Sequence, residues 1–160
     1  MAQVTRATRA LDLAGVAFAV RSYAYDADAD SIGLAAAESL NVDPAQVFKT
    51  LMVLVDGTAA CVIAPSNGEV SMKRVAAALG AKSAAMMKPA DAERISGYKV
   101  GGISPFGQTR HLPAVLDETA MLWDAVFINA GQRGLQLHLS GEDVRKVLDA
   151  VVADVSVART

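Results

Sequence analysis

Nine consecutive residues, Val47-Phe48-Lys49-Thr50-Leu51-Met52-Val53-Leu54-Val55, constrain this chain more than any other stretch. β-branched and aliphatic side chains dominate them, and the Asp56-Gly57 dipeptide that follows is hairpin-turn chemistry, so the stretch predicts a strand. Side chains alternate along a strand, which puts Val47, Lys49, Leu51, Val53 and Val55 on one face and Phe48, Thr50, Met52 and Leu54 on the other. With both faces apolar, the strand belongs in the middle of a sheet covered on two sides. Lys49 is then a single ammonium group among four aliphatic neighbours, and burying a charge costs several kcal/mol unless something pairs with it. Two readings follow. Either Lys49 packs its stem and reaches water near the strand end, or it stands at the lip of a cleft and holds an anionic or carbonyl-bearing ligand.

Length allows one domain over residues 1–160 with a real hydrophobic core. Apolar residues make up 52% and charged ones 20%, the balance of a globular chain. No apolar run approaches a membrane span, and no apolar core follows Arg6 and Arg9 as a signal peptide would require, so a cytoplasmic protein is expected. The single cysteine, Cys61, rules out an internal disulfide and reads as a small buried hydrophobe. His111 and His138 stand apart from any ligand set, and neither a metal nor a cofactor is expected. The aspartates at 26, 28 and 30 lack the glycine and distal glutamate of a calcium loop.

The overall charge of −2 is unevenly spread. Lys73, Arg74, Lys82, Lys88, Arg94, Lys99 and Arg110 face only Asp91 and Glu93 within residues 73–110, a local net of +5, whereas residues 1–48 and 111–160 are each net −3. That middle segment can meet phosphates, or it can simply cover the outer faces of two helices.

Around the central strand, short helices and strands alternate. A helix over 4–14 ends at Gly15, a strand runs from Val16 to Tyr25, and Ser31 or Asp30 caps a helix to Leu40. Asp43-Pro44 opens one turn before the Lys49 strand, and the run around Cys61 is its hairpin partner. Ser71 caps a helix closed by Gly80, residues 82–87 form a brief strand, and a polar helix from Pro89 ends near Gly97. Strands over 112–116 and 125–129 flank a helical segment with Trp123. Leu135 to Leu139 is a half-buried strand, and Ser140 caps a last helix with Val144, Val147, Leu148 and Val151 as its buried stripe.

Between them lies Gly97-Tyr98-Lys99-Val100-Gly101-Gly102-Ile103-Ser104-Pro105-Phe106-Gly107, which suits neither helix nor strand. Glycines let backbone amides approach a ligand, and successive amides form anion-binding nests. A binding loop is expected, the alternative being a long connection with glycines at its turns.

The stretches 47–51, Lys73-Arg74-Val75-Ala76, Gly97-Tyr98 with 100–107, and Arg133-Gly134-Leu135 together resemble the YbaK family of free-standing aminoacyl-tRNA editing proteins. That family is related to the editing domain inserted in some prolyl-tRNA synthetases. The resemblance runs from about Leu11 to Asp154 in order and spacing. It implies an α+β fold with a mixed, largely antiparallel, barrel-like sheet flanked by short helices. It also implies release of cysteine from proline-specific tRNA, with tRNA for cysteine a second carrier. A synthetase pocket rejects a near-isostere by only about 10- to 200-fold, which is why a second site is needed.

In such a mechanism no protein nucleophile acts. The substrate thiol attacks its own ester carbonyl, forms a cyclic thioester and frees the tRNA 3′ end, gaining chiefly from orientation. The resemblance assigns Lys49 to the substrate's polar groups or terminal ribose, and the amides around Gly101, Gly102 and Ile103 to the developing oxyanion. Tyr23, Thr50, Ser104 and Pro105 are expected to line the pocket with three residues that depart from the cysteine-specific pattern. Ile32 replaces an aromatic, Asn129 a serine, and Gln136 an aspartate. These departures leave open a deacylase for alanine or serine esters acting by water attack. A non-catalytic module that grips aminoacyl-tRNA or a small ligand is the other alternative. The expected partners are the 3′ end of an aminoacyl-tRNA and a prolyl-tRNA synthetase, which would hold a tRNA that this chain binds weakly and in a salt-dependent way.

Overall fold

The computed structural model describes residues 4–26, 28–29 and 31–158. Its helices are α1 (Arg6–Ala14), α2 (Ile32–Leu40), α3 (Met72–Ala78), α4 (Pro89–Ser96) and α5 (Gly141–Leu148). Its strands are β1 (Ala19–Ser22), β2 (Val47–Val55), β3 (Thr58–Pro65), β4 (Gly68–Val70), β5 (Ala84–Met86), β6 (Ala114–Asp117), β7 (Val126–Asn129), β8 (Leu135–Leu139), β9 (Val151–Ala153) and β10 (Ser156–Ala158). Two 3-10 turns, Pro44–Gln46 and Glu118–Leu122, complete the set. The main sheet runs β1-β8-β7-β2-β3-β6-β9 with β5 also paired to β2, and β10 pairs β4 in a small second sheet. Five of the eight pairings are antiparallel, so the fold is the mixed, largely antiparallel sheet expected, flanked by helices.

The Lys49 strand is the centre of this arrangement. Asp56 (φ 48°) and Gly57 (φ 81°) both turn left-handed, the geometry that matches the twist of a two-residue hairpin, and β3 returns along β2 from Val55 to Phe48. The Asp56 carboxylate accepts the amides of Lys82 and Ser83, which hold its pKa below the usual range and anchor the approach to β5. Both faces of β2 are covered. Phe48 and Met52 join Ile63, Leu116, Ile128 and Leu137 against α1 and α5, while Val53 and Val55 join Val62, Val75 and Val115 under α3. Val47 packs with Phe127 beneath Ala37 and Leu40 of α2.

The other edge of β2 is only partly occupied. β7 runs parallel beside Val47 and Phe48, and β5 runs antiparallel beside Val53 to Val55. Between those pairings no strand among the described residues covers Lys49 to Met52. The sheet is open there, next to the lysine.

Caps form where short polar side chains precede apolar runs. Ser31, Ser71 and Ser140 accept the amides of Leu34, Arg74 and Asp143 at their helix starts. Asp30, the other cap considered for α2, lies outside the described residues. The first strand is shorter than expected, beginning at Ala19. Val16 and Phe18 instead pack against the core from an irregular lead-in. The C-terminal stripe needs a larger correction. Val151 is 40% exposed and starts β9, because Asp149 in the left-handed region ends α5 first.

β9 and β10 were not anticipated, and their anchor is a buried carboxylate. Asp117, 0% exposed, accepts the amides of Val155 and Ser156 on one oxygen and the amide and hydroxyl of Thr119 on the other. Among the described residues no helix is long and apolar enough to cross a membrane, and no cluster of metal-ligating side chains occurs.

Candidate functional site

At the opening beside β2 lies a cavity of about 180 Å³. Strand register builds its polar wall. Phe48 pairs with Ile128 across β2 and β7, which sets Lys49 level with Asn129, and Asn129 faces Gln136 directly across β7 and β8. The cavity is also lined by Ile32 and Gly33 at the start of α2, by Thr50, and by Val100, Gly101 and Ile103 of the glycine loop. Because β2 and β7 part after Phe48, both faces of β2 contribute: Lys49 from one, Thr50 from the other.

Lys49 lines the cavity, and its Nζ donates to the carbonyl of Gly68 at 2.7 Å, which fixes the ammonium against the backbone. It is half-buried, so it neither stretches into water nor sits sealed in the core. Polar atoms without protein partners gather here. The Thr50 hydroxyl and the Gln136 side-chain carbonyl are buried and make no hydrogen bond in the protein, and Gln136 is only 3% exposed. An unmet buried acceptor or donor costs about 1–3 kcal/mol, so such a pair marks a place where a ligand or water completes the structure. Tyr23 stands behind them. Burial raises its phenol pKa, an effect partly offset by the Gly134 backbone and by the amides of Gln136 and Asn129. Its hydroxyl forms no well-aligned bond with either amide.

The glycine loop is held from three sides. Asn129 donates to the Gly101 carbonyl at 3.1 Å and accepts the Gly131 amide at 2.7 Å, so its rotamer is set by both neighbours. Glu93 accepts the Val100 amide, and Arg133 donates from Nε and Nη2 to the Val100 carbonyl at 3.0 and 2.8 Å. Tyr98 anchors the loop in the core by donating to the Phe106 carbonyl at 2.5 Å, and burial pushes its pKa up to about 12. Gly101 has φ of 90°, and a Cβ there would lie 2.6 Å from the Tyr25 hydroxyl, so only glycine fits without displacement.

Of the residues singled out from sequence, Lys49, Thr50, Ile32, Asn129, Gln136, Gly101 and Ile103 meet at this cavity, with Tyr23 adjoining through Gln136. Three expectations are corrected. The Gly102 amide donates to the Lys99 carbonyl at 2.8 Å, closing a tight turn, and is not directed at a substrate oxyanion. Ser104 is 0% exposed, its hydroxyl accepting the Phe106 amide, because the loop dives into the core there. Pro105 lines a separate depression with Gln108, Arg110 and His111. Gly33, Tyr25 and Arg133 were missed as site elements. Arg133 had a signal, since its Arg-Gly-Leu motif was visible, but its reach to Val100 is a tertiary fact.

Comparison with known proteins agrees with this architecture. Residues 26–147 match the model of the aminoacyl-tRNA editing domain. A protein of Enterococcus faecalis, EbsC, named as a candidate Cys-tRNA(Pro)/Cys-tRNA(Cys) deacylase, is 32% identical over 158 residues, covering 96% of this chain and 94% of that one. A proline–tRNA ligase of Acidithiobacillus ferrooxidans is 27% identical over 102 residues, 64% of this chain but 18% of the ligase. The crystal structure of a candidate trans-editing enzyme for prolyl-tRNA synthetase superposes with a TM-score of 0.83 at 19% identity over 96% of each chain, a likeness of fold. The chain belongs to the aminoacyl-tRNA editing domain family, as an editing enzyme of the YbaK/EbsC type.

Proposed function

We propose that this protein is a trans-editing deacylase that releases cysteine from tRNA(Pro), with Cys-tRNA(Cys) a second substrate, through attack of the substrate's own thiol. The observation that carries the reading is the cavity itself. It sets one tethered ammonium and a glycine loop around a space below the roughly 300–1,000 Å³ of sites for drug-sized ligands. Among the described residues its only hydroxyl is that of Thr50, with no histidine, cysteine or carboxylate in the lining to activate it or act beside it. Such a site orients a small aminoacyl ester rather than attacking it. The thiol sulfur bonds to the carbonyl carbon, the ester C–O bond breaks, and the tRNA 3′ oxygen leaves with the proton as a cyclic thioester forms. Lys49 would hold the ester or terminal ribose, and the loop backbone at Gly101 and Ile103 would face the oxyanion. The 32% identity to EbsC supports cysteine as the substrate.

A second reading rests on a specific observation. Gln136 and Thr50 leave buried polar atoms unpaired at the cavity, where they could position a water for hydrolysis of alanine or serine esters. Deacylation of Cys-, Ala- and Ser-tRNA(Pro), with correctly charged controls, separates the two. Loss of the cysteine ester with a trapped thiolactone supports thiol attack. Loss of the alanine or serine ester replaces it with water attack. No turnover, with or without prolyl-tRNA synthetase, leaves a binding module.

A further inference from the structure

Behind the glycine loop lies a second depression, about 340 Å³, that plays no part in the chemistry above. Gly101 lines the aminoacyl cavity and the next residue, Gly102, lines this groove, so one residue of backbone separates the two. We propose that the groove carries the phosphodiester backbone of the single-stranded tRNA 3′ end. The proposal rests on the editing reading above, because it places the nucleic acid to which the amino acid in the cavity is esterified.

Charge and shape both support this occupant. Lys99 and Arg133 flank the groove, both exposed, and among the described residues its lining contains no carboxylate. Glu93, on α4, accepts the Val100 amide and is not part of the groove lining. Arg6 adds a further cation at the rim, its guanidinium lying 5.4 Å from the Tyr98 ring and donating to the Gly97 carbonyl. The groove floor is backbone: a Cβ at Gly102 would lie 3.0 Å from the Arg133 amide nitrogen, and one at Gly131 would lie 2.6 Å from the Tyr98 ring. Glycine at both positions lets the loop pack closely against residues 131–133 and Tyr98, which keeps the groove wall close and free of side chains there.

Arg133 is also preset. Its bonds to the Val100 carbonyl use two of the five N–H groups of a guanidinium, and its plane lies over the Tyr25 ring with Cζ 5.4 Å from the centroid. The cation is thus fixed at the groove with donors remaining for a phosphate. A strand leaving the cavity over Val100 and Gly101 meets it at once.

The test is binding of a short uncharged RNA ending in CCA, followed by fluorescence anisotropy across a salt series. Each single-strand phosphate contact contributes about 0.7 to the slope of log affinity against log salt. Lys99→Ala and Arg133→Gln are each expected to lower that slope by about 0.7 and to weaken binding about three- to tenfold at low salt. Arg133→Lys should keep the slope. Lys82→Ala, next to Asp56 at the far end of β2, should change neither. Deacylation of an aminoacyl-adenosine, which lacks phosphates, should be unaffected by Lys99→Ala, while KM for aminoacyl-tRNA rises. An unchanged slope in Lys99→Ala and Arg133→Gln, or a loss in Lys99→Ala on the phosphate-free ester equal to its loss on aminoacyl-tRNA, would overturn the proposal. If no ester is cleaved yet the slopes shift as expected, the deacylase reading fails and the RNA track stands.

Discussion

Gly101→Ala isolates what the glycine loop contributes. At φ of 90° an alanine is strained by about 1–3 kcal/mol, and its Cβ would lie 2.6 Å from the Tyr25 hydroxyl and 3.3 Å from Arg133 Nε. A cost of about 2 kcal/mol in a chain of this size lowers Tm by about 4–8 °C. The loop can relieve the strain by moving, but Gly101 and Ile103 then leave the cavity wall, and a misplacement of about 1 Å at a reacting centre can cost about 100-fold in rate. Deacylation should therefore fall by one to two orders of magnitude in a variant that still melts cooperatively. Adding Tyr25→Phe removes the oxygen nearest the new methyl but leaves the backbone strain. The double variant should recover only part of the loss, a non-additivity readable in both Tm and kcat. If Gly101→Ala melts and turns over like the parent, or if Tyr25→Phe restores it completely, the argument from backbone strain is wrong.

Lys49→Ala removes the ammonium tethered to Gly68 and should reduce deacylation more than tenfold while circular dichroism shows a folded protein; survival within a few-fold refutes its assigned role. Asp117→Ala leaves four donors from Thr119, Val155 and Ser156 without their acceptor and should cost at least about 3 kcal/mol in denaturant unfolding. Asp117→Asn, which keeps one acceptor oxygen, should cost less. Burial raises the Cys61 thiol to about 12, so the folded protein should resist alkylation at pH 8 and react only when unfolded. The same shift makes the folded state hold its proton longer than the unfolded chain. Its contribution to stability is therefore full below the ordinary thiol pKa of about 8.5 and is lost as pH rises toward 12, a trend that alkaline melts with Cys61→Ala as reference would show.

Much of the fold was legible because local chemistry announced it. β2 runs from Val47 to Val55 as its composition indicated, Asp56-Gly57 turns the hairpin, and serines 31, 71 and 140 cap their helices. Errors arose where a pattern ran past its physical end. Val151 fits a helical stripe by spacing, but Asp149 had already ended α5. Leu135 to Leu139 alternates like a half-buried strand, yet Gln136 is buried too, because β8 lies between β1 and β7 with the cavity against it. The glycine loop invited equal roles for Gly101 and Gly102. Only the backbone conformation separates them, giving Gly101 to the cavity and Gly102's amide to a turn.

By itself the sequence determined a central two-faced strand with a lysine in it, the hairpin that follows, and a glycine-rich segment that had to be irregular. These depend on side-chain alternation, turn dihedrals and glycine's missing Cβ, all of which are local. The tertiary structure decided that β7 and β5 would leave Lys49 to Met52 uncovered, that Asn129 and Gln136 would stand level with the lysine, and that Arg133 would reach Val100. Register and close approach between residues distant in sequence are set by how whole faces pack, and no single stretch of chain contains that information.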